Sequence, residues 1–254
     1  MKRVFVFTLN FRICAALLSS VLCLSAAAQE LPASIQNEGM YNEQYRPQYH
    51  FTPSEHWNND PNGPVYYKGE YHLFYQYFPG GMQWGPMHWG HAVSKDLLHW
   101  KELPVAIPEA DGETVFTGSV VVDAKNSSGL CKDGKACMVA VYTGDSSPAT
   151  GHREVQNLAV SQDRGRTWTR YAGNPVLDLH MKDFRDPNVS WNEESHAWMM
   201  AVALPNEHQV AFYRSPDLKA WTRVGAFGPD GATSGVWECP DLLRVPAKDG
   251  HSSI

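Results

Sequence analysis

Residues 88–100 read HWGHAVSKDLLHW, an apolar run that ends in Ser-x-Asp and is closed by a tryptophan. The pattern returns at residues 157–168, NLAVSQDRGRTW, and at residues 209–221, QVAFYRSPDLKAW. In each copy a strand-like run leads into a turn whose aspartate accepts backbone N–H bonds, and the tryptophan packs on the strand behind. A unit that recurs along the chain predicts a repeat architecture.

A second pattern lies upstream of these copies. Pairs of short β-like runs joined by polar turns begin near residues 60, 118, 186 and 238. Four short strands per unit are typical of β-propeller blades, and no helical period of 3.6 residues is sustained. The sequence therefore predicts an all-β propeller, present as about three and a half blades. A β-sandwich with coincidental turns is the alternative.

The composition narrows the class of protein. A net charge of −6 without a basic cluster argues against binding to nucleic acid. Hydrophobic residues make up 43% of the chain, which is enough to form a core. Aromatic residues make up 12%, and their rings suit both a β core and the stacking of sugar rings.

Residues 1–28 are typical of a secretory signal peptide. Lys2 and Arg3 precede an apolar run over residues 13–28 that ends in three alanines and is shorter than the ~20 residues of a membrane span. We expect export to the periplasm, the cell surface or the medium, with no membrane span in the mature chain. Residues 29–44 are predicted to be a lead-in, and residues 45–254 an incomplete propeller domain.

Cysteine usage fits this export. Cys131 and Cys137 flank a turn-like stretch between two apolar runs, where an exported protein can form a disulfide. Two reduced thiols are the alternative. His88 and His91 lack a third ligand in their segment, so the sequence predicts no metal site.

Asp60, Asp186 and Glu238 each stand where a repeated segment begins. Because the first strands of propeller blades line one channel, we expect these acids to converge at one end of it. Clustered carboxyls raise one another's pKa and tend to leave one protonated. One ionised and one protonated carboxyl are what glycoside hydrolysis requires.

Three motifs carry a family resemblance: Trp57-Asn-Asn-Asp-Pro-Asn-Gly63, Phe184-Arg-Asp-Pro187 and Glu238-Cys-Pro240. In this order they resemble glycoside hydrolase family 32, which contains invertases, inulinases and levanases. The resemblance implies a five-bladed propeller, usually followed by a β-sandwich. This chain stops within what should be the fourth blade, so we expect the later blades and the sandwich to be absent from it.

The resemblance also implies roles for residues. Asp60 matches the nucleophile, Glu238 the general acid/base, and Asp186 the acid that stabilises the transition state. The candidate substrate-pocket residues are Trp57, Asn58, Asn59, Gln76, Trp84, Phe116, Thr117 and Arg185. Asn58 stands where the family more often has Met, and Thr117 where it more often has Ser. The implied reaction is retaining hydrolysis of β-fructosides such as sucrose, inulin or levan, without metal or cofactor, with the two carboxyls about 5–5.5 Å apart.

The residues around the acids lead to further expectations. Asn58, Asn59 and Asn62 are expected to donate to Asp60 and keep it ionised. Burial beside Trp237 is expected to raise the pKa of Glu238, and Cys239 is interpreted as a small buried residue.

Three other functions stay open at this point. An inverting glycosidase of the five-bladed type that cleaves arabinan or xylan also uses three acids, with wider carboxyl separation. A truncated, non-catalytic fructan-binding protein is the alternative from a different class. A fructosyltransferase would pass the same intermediate to a sugar hydroxyl instead of water.

Overall fold

A computed structural model describes residues 43–146, 151–243, 245–246 and 252–253. Within these residues lie three four-stranded antiparallel sheets, in each of which consecutive strands are neighbours. The predicted signal peptide and almost all of the lead-in lie outside the described residues.

The strand bounds follow the repeat. The first sheet contains β1 (Trp57–Tyr67), β2 (Glu70–Phe78), β3 (His88–Ser94) and β4 (Trp100–Ile107). The second contains β5 (Glu113–Asp123), β6 (Cys137–Ser146), β7 (Glu154–Ser161) and β8 (Thr169–Arg170). The third contains β9 (Arg185–Asn192), β10 (Ala197–Leu204), β11 (Gln209–Ser215) and β12 (Thr222–Phe227), and a short pair follows in β13 (Val245–Pro246) and β14 (Ser252–Ser253).

The first strands of the three sheets lie side by side. The Val189 amide of β9 donates to the Ser119 hydroxyl of β5, which donates to the Pro187 carbonyl, both at 3.0 Å. On the other side of β5, Gly63 of β1 lies against Val120 so closely that a Cβ atom would be 2.6 Å from the valine Cγ2. Strands β1, β5 and β9 are therefore the neighbouring inner strands of three blades.

The core lies between the blades because the middle sheet is apolar on both faces. Side chains alternate along a strand, so Met138 and Tyr142 of β6 pack toward the first sheet with Phe74 and Trp89. Val139 and Val141 point to the opposite face and pack toward the third sheet. A sheet buried on both faces is what face-to-face packing of blades requires.

In each of the three described blades the Ser-x-Asp pattern forms a similar turn between the third and fourth strands, with the serine hydroxyl bonded to the aspartate. In the second blade the Ser161 hydroxyl donates to Asp163 at 2.8 Å and accepts the Gly165 amide at 2.7 Å. The tryptophan Nε1–H donates to a nearby turn carbonyl in all three copies, at 3.1 Å for Trp100, 3.0 Å for Trp168 and 2.9 Å for Trp221.

The predicted all-β propeller class is confirmed, and the total number of blades stays a prediction. Cys131 and Cys137 are joined as a disulfide beside the start of β6. No helix in the described part of the chain is long and apolar enough to cross a membrane. One detail of the repeat is wrong: Glu238 lies in irregular chain after β12 and does not begin a strand.

Candidate active site

Two of the three predicted acids, Asp60 and Asp186, both contact Cys239. This cysteine follows the third acid, Glu238, in the sequence. The Cys239 thiol lies 3.9 Å from Asp60 Oδ2 and 3.7 Å from Asp186 Oδ2. The Cys239 amide also donates to Asp186 Oδ2 at 2.9 Å. Residues far apart in the sequence are thus gathered at the ends of β1 and β9 where these strands begin, with Glu238 adjacent along the chain.

Asp60 is held by the second and fifth strands. Its Oδ2 accepts the Thr117 hydroxyl at 2.7 Å and the Gln76 amide at 3.4 Å. Gln76 also donates to Thr117 at 2.7 Å, and its carbonyl accepts the Asn59 amide at 3.2 Å. Gln76 shares a strand face with buried Phe74, so the side chain that continues the apolar stripe reaches the carboxylate.

The prediction that asparagines surround Asp60 was wrong. Among the described residues, Asn58, Asn59 and Asn62 make no hydrogen bond to this carboxylate. Asn58 is exposed, Asn62 is buried in the sheet, and Asn59 bonds to Gln76 instead. Regular alternation would put Asn58 and Asn62 on the same face as Asp60. The pairing of β1 with β2 shifts register between Asn58 and Pro61 and again between Asn62 and Val65. This irregularity breaks the alternation, and the donors come from other strands.

Asp186 is the most enclosed of the three acids, with 5% of its surface exposed. Burial raises its pKa to about 6, and the nearby charges of Glu238 and Asp60 act in the same direction. The Cys239 amide and the Arg185 charge oppose this rise. The backbone of Asp186 has a φ of 65°, which is unusual for a residue with a side chain.

Arg185 connects the third acid to the second blade. Its Nε donates to Glu238 Oε1 at 2.9 Å, and its Nη1 donates to Glu154 and Asp183, each at 3.0 Å. These acidic neighbours raise the pKa of Arg185, against the effect of burial, so the guanidinium stays charged.

Two expectations about burial were wrong. The Glu238 side chain is 48% exposed, because it lies on the surface of an irregular segment and pairs with Arg185. Cys239 is also exposed, although it contacts both aspartates. The thiol itself lies against Asp60 and Asp186, and its partial desolvation and the neighbouring carboxylates raise its pKa to about 12. A thiol protonated at neutral pH is a poor nucleophile, which leaves the carboxylates as the reactive groups.

The three aromatic candidates lie on β1, on β5 and in the loop before β3. Trp57 begins β1 and its amide donates to the Gly81 carbonyl at 2.9 Å. Phe116 is half-buried in β5, next to Thr117, and its carbonyl accepts Trp89 Nε1 at 2.9 Å. Trp84 lies in the loop before β3 and is 58% exposed. Their contact with a substrate stays a prediction.

Several residues near the site were not predicted from the sequence. Thr143, Glu154 and Gln156 are buried polar side chains on β6 and β7 that bond to the segment 184–186. The sequence does show polar residues that interrupt the otherwise apolar strands β6 and β7. It does not show which groups these side chains bond to.

One further cluster could be considered for a metal. Asp145, His152 and Glu154 each place a potential ligand atom within 4.8 Å of the others. Glu154 already accepts the guanidinium of Arg185 on both carboxylate oxygens, at 3.0 and 3.2 Å. A bound cation would compete with that charge, so we assign no metal there.

Comparison with known proteins shows which family the chain is similar to. Residues 50–254 match the family described as glycosyl hydrolases family 32, N-terminal domain. A levanase from Bacillus subtilis is 53% identical over 221 residues, which is 86% of this chain and 32% of the levanase. The extracellular exo-inulinase of Aspergillus ficuum is 43% identical over 87% of this chain and 45% of its own length.

A solved structure is similar to the same part of the chain. The crystal structure of exo-inulinase from Aspergillus awamori superposes with a TM-score of 0.77 at 43% identity. The alignment covers 84% of this chain and 46% of the exo-inulinase. The chain thus spans less than half the length of these relatives.

Proposed function

The chain belongs to glycosyl hydrolase family 32, and from this membership we propose that it is an exported, retaining β-fructofuranosidase. The single observation that carries the proposal is the meeting of Asp60 and Asp186 at Cys239, beside Glu238. The substrate class is β-fructosides, namely sucrose, inulin or levan. Export is supported by the signal-like residues 1–28 and by the extracellular exo-inulinase among the relatives.

In the proposed reaction Asp60 attacks the anomeric carbon of a fructosyl unit, and Glu238 donates a proton to the leaving oxygen. Water then enters as Glu238 accepts its proton, and the fructosyl–Asp60 bond breaks with the configuration retained. Asp60 suits the role of nucleophile because a hydroxyl and an amide donate to its Oδ2. These two donors fix the orientation of the carboxylate that would attack.

Asp186 is proposed to accept hydroxyl groups of the fructosyl ring and to stabilise the positive charge of the transition state. A negative charge held at a fixed place in a partly desolvated site stabilises a developing cation more than water does. Arg185 is proposed to orient Glu238 through their 2.9 Å contact.

The experiment is to follow fructose release from sucrose, inulin and levan, with arabinan and xylan as control substrates. NMR of the first product identifies the anomer, and β-fructose is expected. Asp60→Asn and Glu238→Gln should each reduce kcat by about 10³-fold or more. Glu193→Gln, which changes an exposed acid at the turn after β9, should leave kcat unchanged.

Other outcomes would identify the alternatives. Initial release of α-fructose, or activity on arabinan, would support an inverting enzyme, which the named relatives do not favour. Binding to levan without fructose release would support the fructan-binding protein. Fructosyl transfer at high sucrose concentration would indicate a transferase.

A further inference from the structure

One face of the second blade changes from apolar to polar as it approaches the candidate active site. Val139 and Val141 of β6 and Leu158 of β7 pack in the core between the second and third blades. The next residues on this face are Thr143 on β6 and Gln156 on β7, with Glu154 two residues before Gln156. All three polar side chains are at most 1% exposed.

We call Thr143, Glu154 and Gln156 the blade-2 clamp, because together they bond to both backbone groups of Phe184 and to the amide of Asp186. The Phe184 amide donates to Glu154 at 2.6 Å, and the Phe184 carbonyl accepts Gln156 Nε2 at 2.7 Å. The Asp186 amide donates to the Thr143 hydroxyl at 3.0 Å.

The members of the clamp also support one another. The Thr143 hydroxyl donates to Gln156 Oε1 at 2.9 Å while it accepts the Asp186 amide. Gln156 therefore uses its carbonyl for Thr143 and its amide for Phe184. Buried polar side chains with matched partners hold a single geometry, because any rearrangement leaves a donor or an acceptor unpaired.

The segment that they hold has a strained backbone at a reactive position. Asp186 has a φ of 65° and is followed by proline, so its conformation must be maintained by its surroundings. Its carboxylate accepts a hydrogen bond from the Cys239 amide. Glu154 additionally holds Arg185, whose Nε contacts Glu238. The clamp thus bonds to the backbone of Asp186 and contacts Arg185, which in turn bonds to Glu238.

We propose that Thr143, Glu154 and Gln156 are positioning residues, which set the place of the Asp186 carboxylate and of Arg185 for catalysis. This inference rests on the proposed fructosidase function. The clamp does not contact the reacting atoms, and it acts through the backbone of residues 184–186.

The test compares Thr143→Val with Thr143→Ser in the full chain. Valine keeps the shape of threonine but loses the acceptor for the Asp186 amide, whereas serine keeps the hydroxyl and loses a methyl group. Positioning predicts a fall in kcat of about tenfold to a hundredfold for the valine variant, with a smaller change in KM, and near-normal kcat for serine. A packing role predicts the reverse order, since serine leaves a cavity.

A second readout does not depend on activity. Hydrogen exchange of the amides of residues 184–186, followed by mass spectrometry, should be faster in Thr143→Val and unchanged in Thr143→Ser. Glu154→Gln keeps the shape of the side chain but removes its charge, and it should lower kcat without changing exchange in the distant turn at Ser215–Trp221. All variants are compared below the melting temperature of the least stable one.

The outcomes separate the two proposals. If the unsubstituted chain releases no fructose from any β-fructoside, the proposed function fails, and the exchange data still test whether the clamp orders residues 184–186. If the unsubstituted chain is active and Thr143→Val has normal kcat and normal exchange, the positioning role is refuted.

Discussion

Replacing Asp186 by asparagine is expected to stabilise the fold while removing a group that the proposed reaction needs. Asp186 is 5% exposed, and burial raises its pKa from the ordinary 3.8 to about 6. The folded chain therefore disfavours the charged carboxylate at neutral pH. Asparagine keeps an oxygen that can accept the Cys239 amide, and it tolerates the positive φ of this position.

The size of this stabilisation follows from the difference between the pKa of Asp186 in the folded chain, about 6, and its ordinary pKa of 3.8, which is about two units. Each pKa unit corresponds to about 1.4 kcal/mol, so the charge of Asp186 costs up to about 3 kcal/mol of folding free energy at pH 7.5. We expect Asp186→Asn to recover about 1–3 kcal/mol, which raises the melting temperature of a chain of this size by about 2–10 °C.

The gain depends on pH in a defined direction. Between pH 3.8 and about 6 the folded chain binds a proton at Asp186 that the unfolded chain has already released. Stability of the unsubstituted chain therefore falls as pH rises through this window, and the deficit is complete above it. The advantage of Asp186→Asn should be largest near pH 7.5 and should disappear near pH 4.

Urea unfolding at pH 7.5 and pH 4 measures the free energy of unfolding of Asp186→Asn and of the unsubstituted chain. Asp123→Asn is the matched control. Asp123 is also buried, but amides and hydroxyls of Ser127 and Ser128 lower its pKa, so the same substitution should destabilise the chain at pH 7.5. A destabilised Asp186→Asn variant at pH 7.5, or an equal gain at both pH values, would refute the reasoning. Fructose release by Asp186→Asn should fall by about 10²-fold or more.

Three further predictions concern the site and the fold. The kcat/KM of the unsubstituted chain should decline as pH falls below about 6, because in the proposed reaction the negative charge of Asp186 stabilises the cationic transition state and protonation removes that charge; a pH–rate profile measures the decline. Replacing Cys131 and Cys137 together by serine should cost about 2 kcal/mol in urea unfolding, since a short loop is released; an unchanged midpoint would contradict this. Gly63→Ala should cost at least about 2 kcal/mol, because φ is 46° and the new Cβ would lie 2.6 Å from Val120 Cγ2, whereas Gly69→Ala, with open space around it, should cost less.

The repeated turns explain why the fold was predictable. Ser161, Asp163 and Trp168 form their hydrogen bonds within eight consecutive residues, so the pattern is local and visible in the sequence. Successive residues of β6 from Cys137 to Tyr142 are apolar. Because side chains alternate between the two faces of a strand, such a run indicates a sheet buried on both faces. A fold built from repeated local units can thus be recognised one unit at a time.

The acids were predictable for a related reason, whereas their surroundings were not. Asp60 and Asp186 stand near the start of β1 and β9, the first strands of their blades, and both contact Cys239. The donors to Asp60 were assigned to adjacent asparagines but are Thr117 and Gln76 on other strands. Register shifts between Asn58 and Pro61 and between Asn62 and Val65 break the alternation that would place Asn58 and Asn62 beside Asp60, and a sequence pattern does not reveal such irregularities.

The strand pattern, the blade turns and the candidate carboxylates are readable from the amino-acid sequence, because they depend on local periodicity and on chemical identity. Tertiary structure alone decided that Glu238 is exposed and paired with Arg185, that Asp186 is enclosed, and that the blade-2 clamp bonds to residues 184–186. Burial, pKa and hydrogen-bond partners depend on which strands of different blades face each other, and packing across all the sheets sets that arrangement.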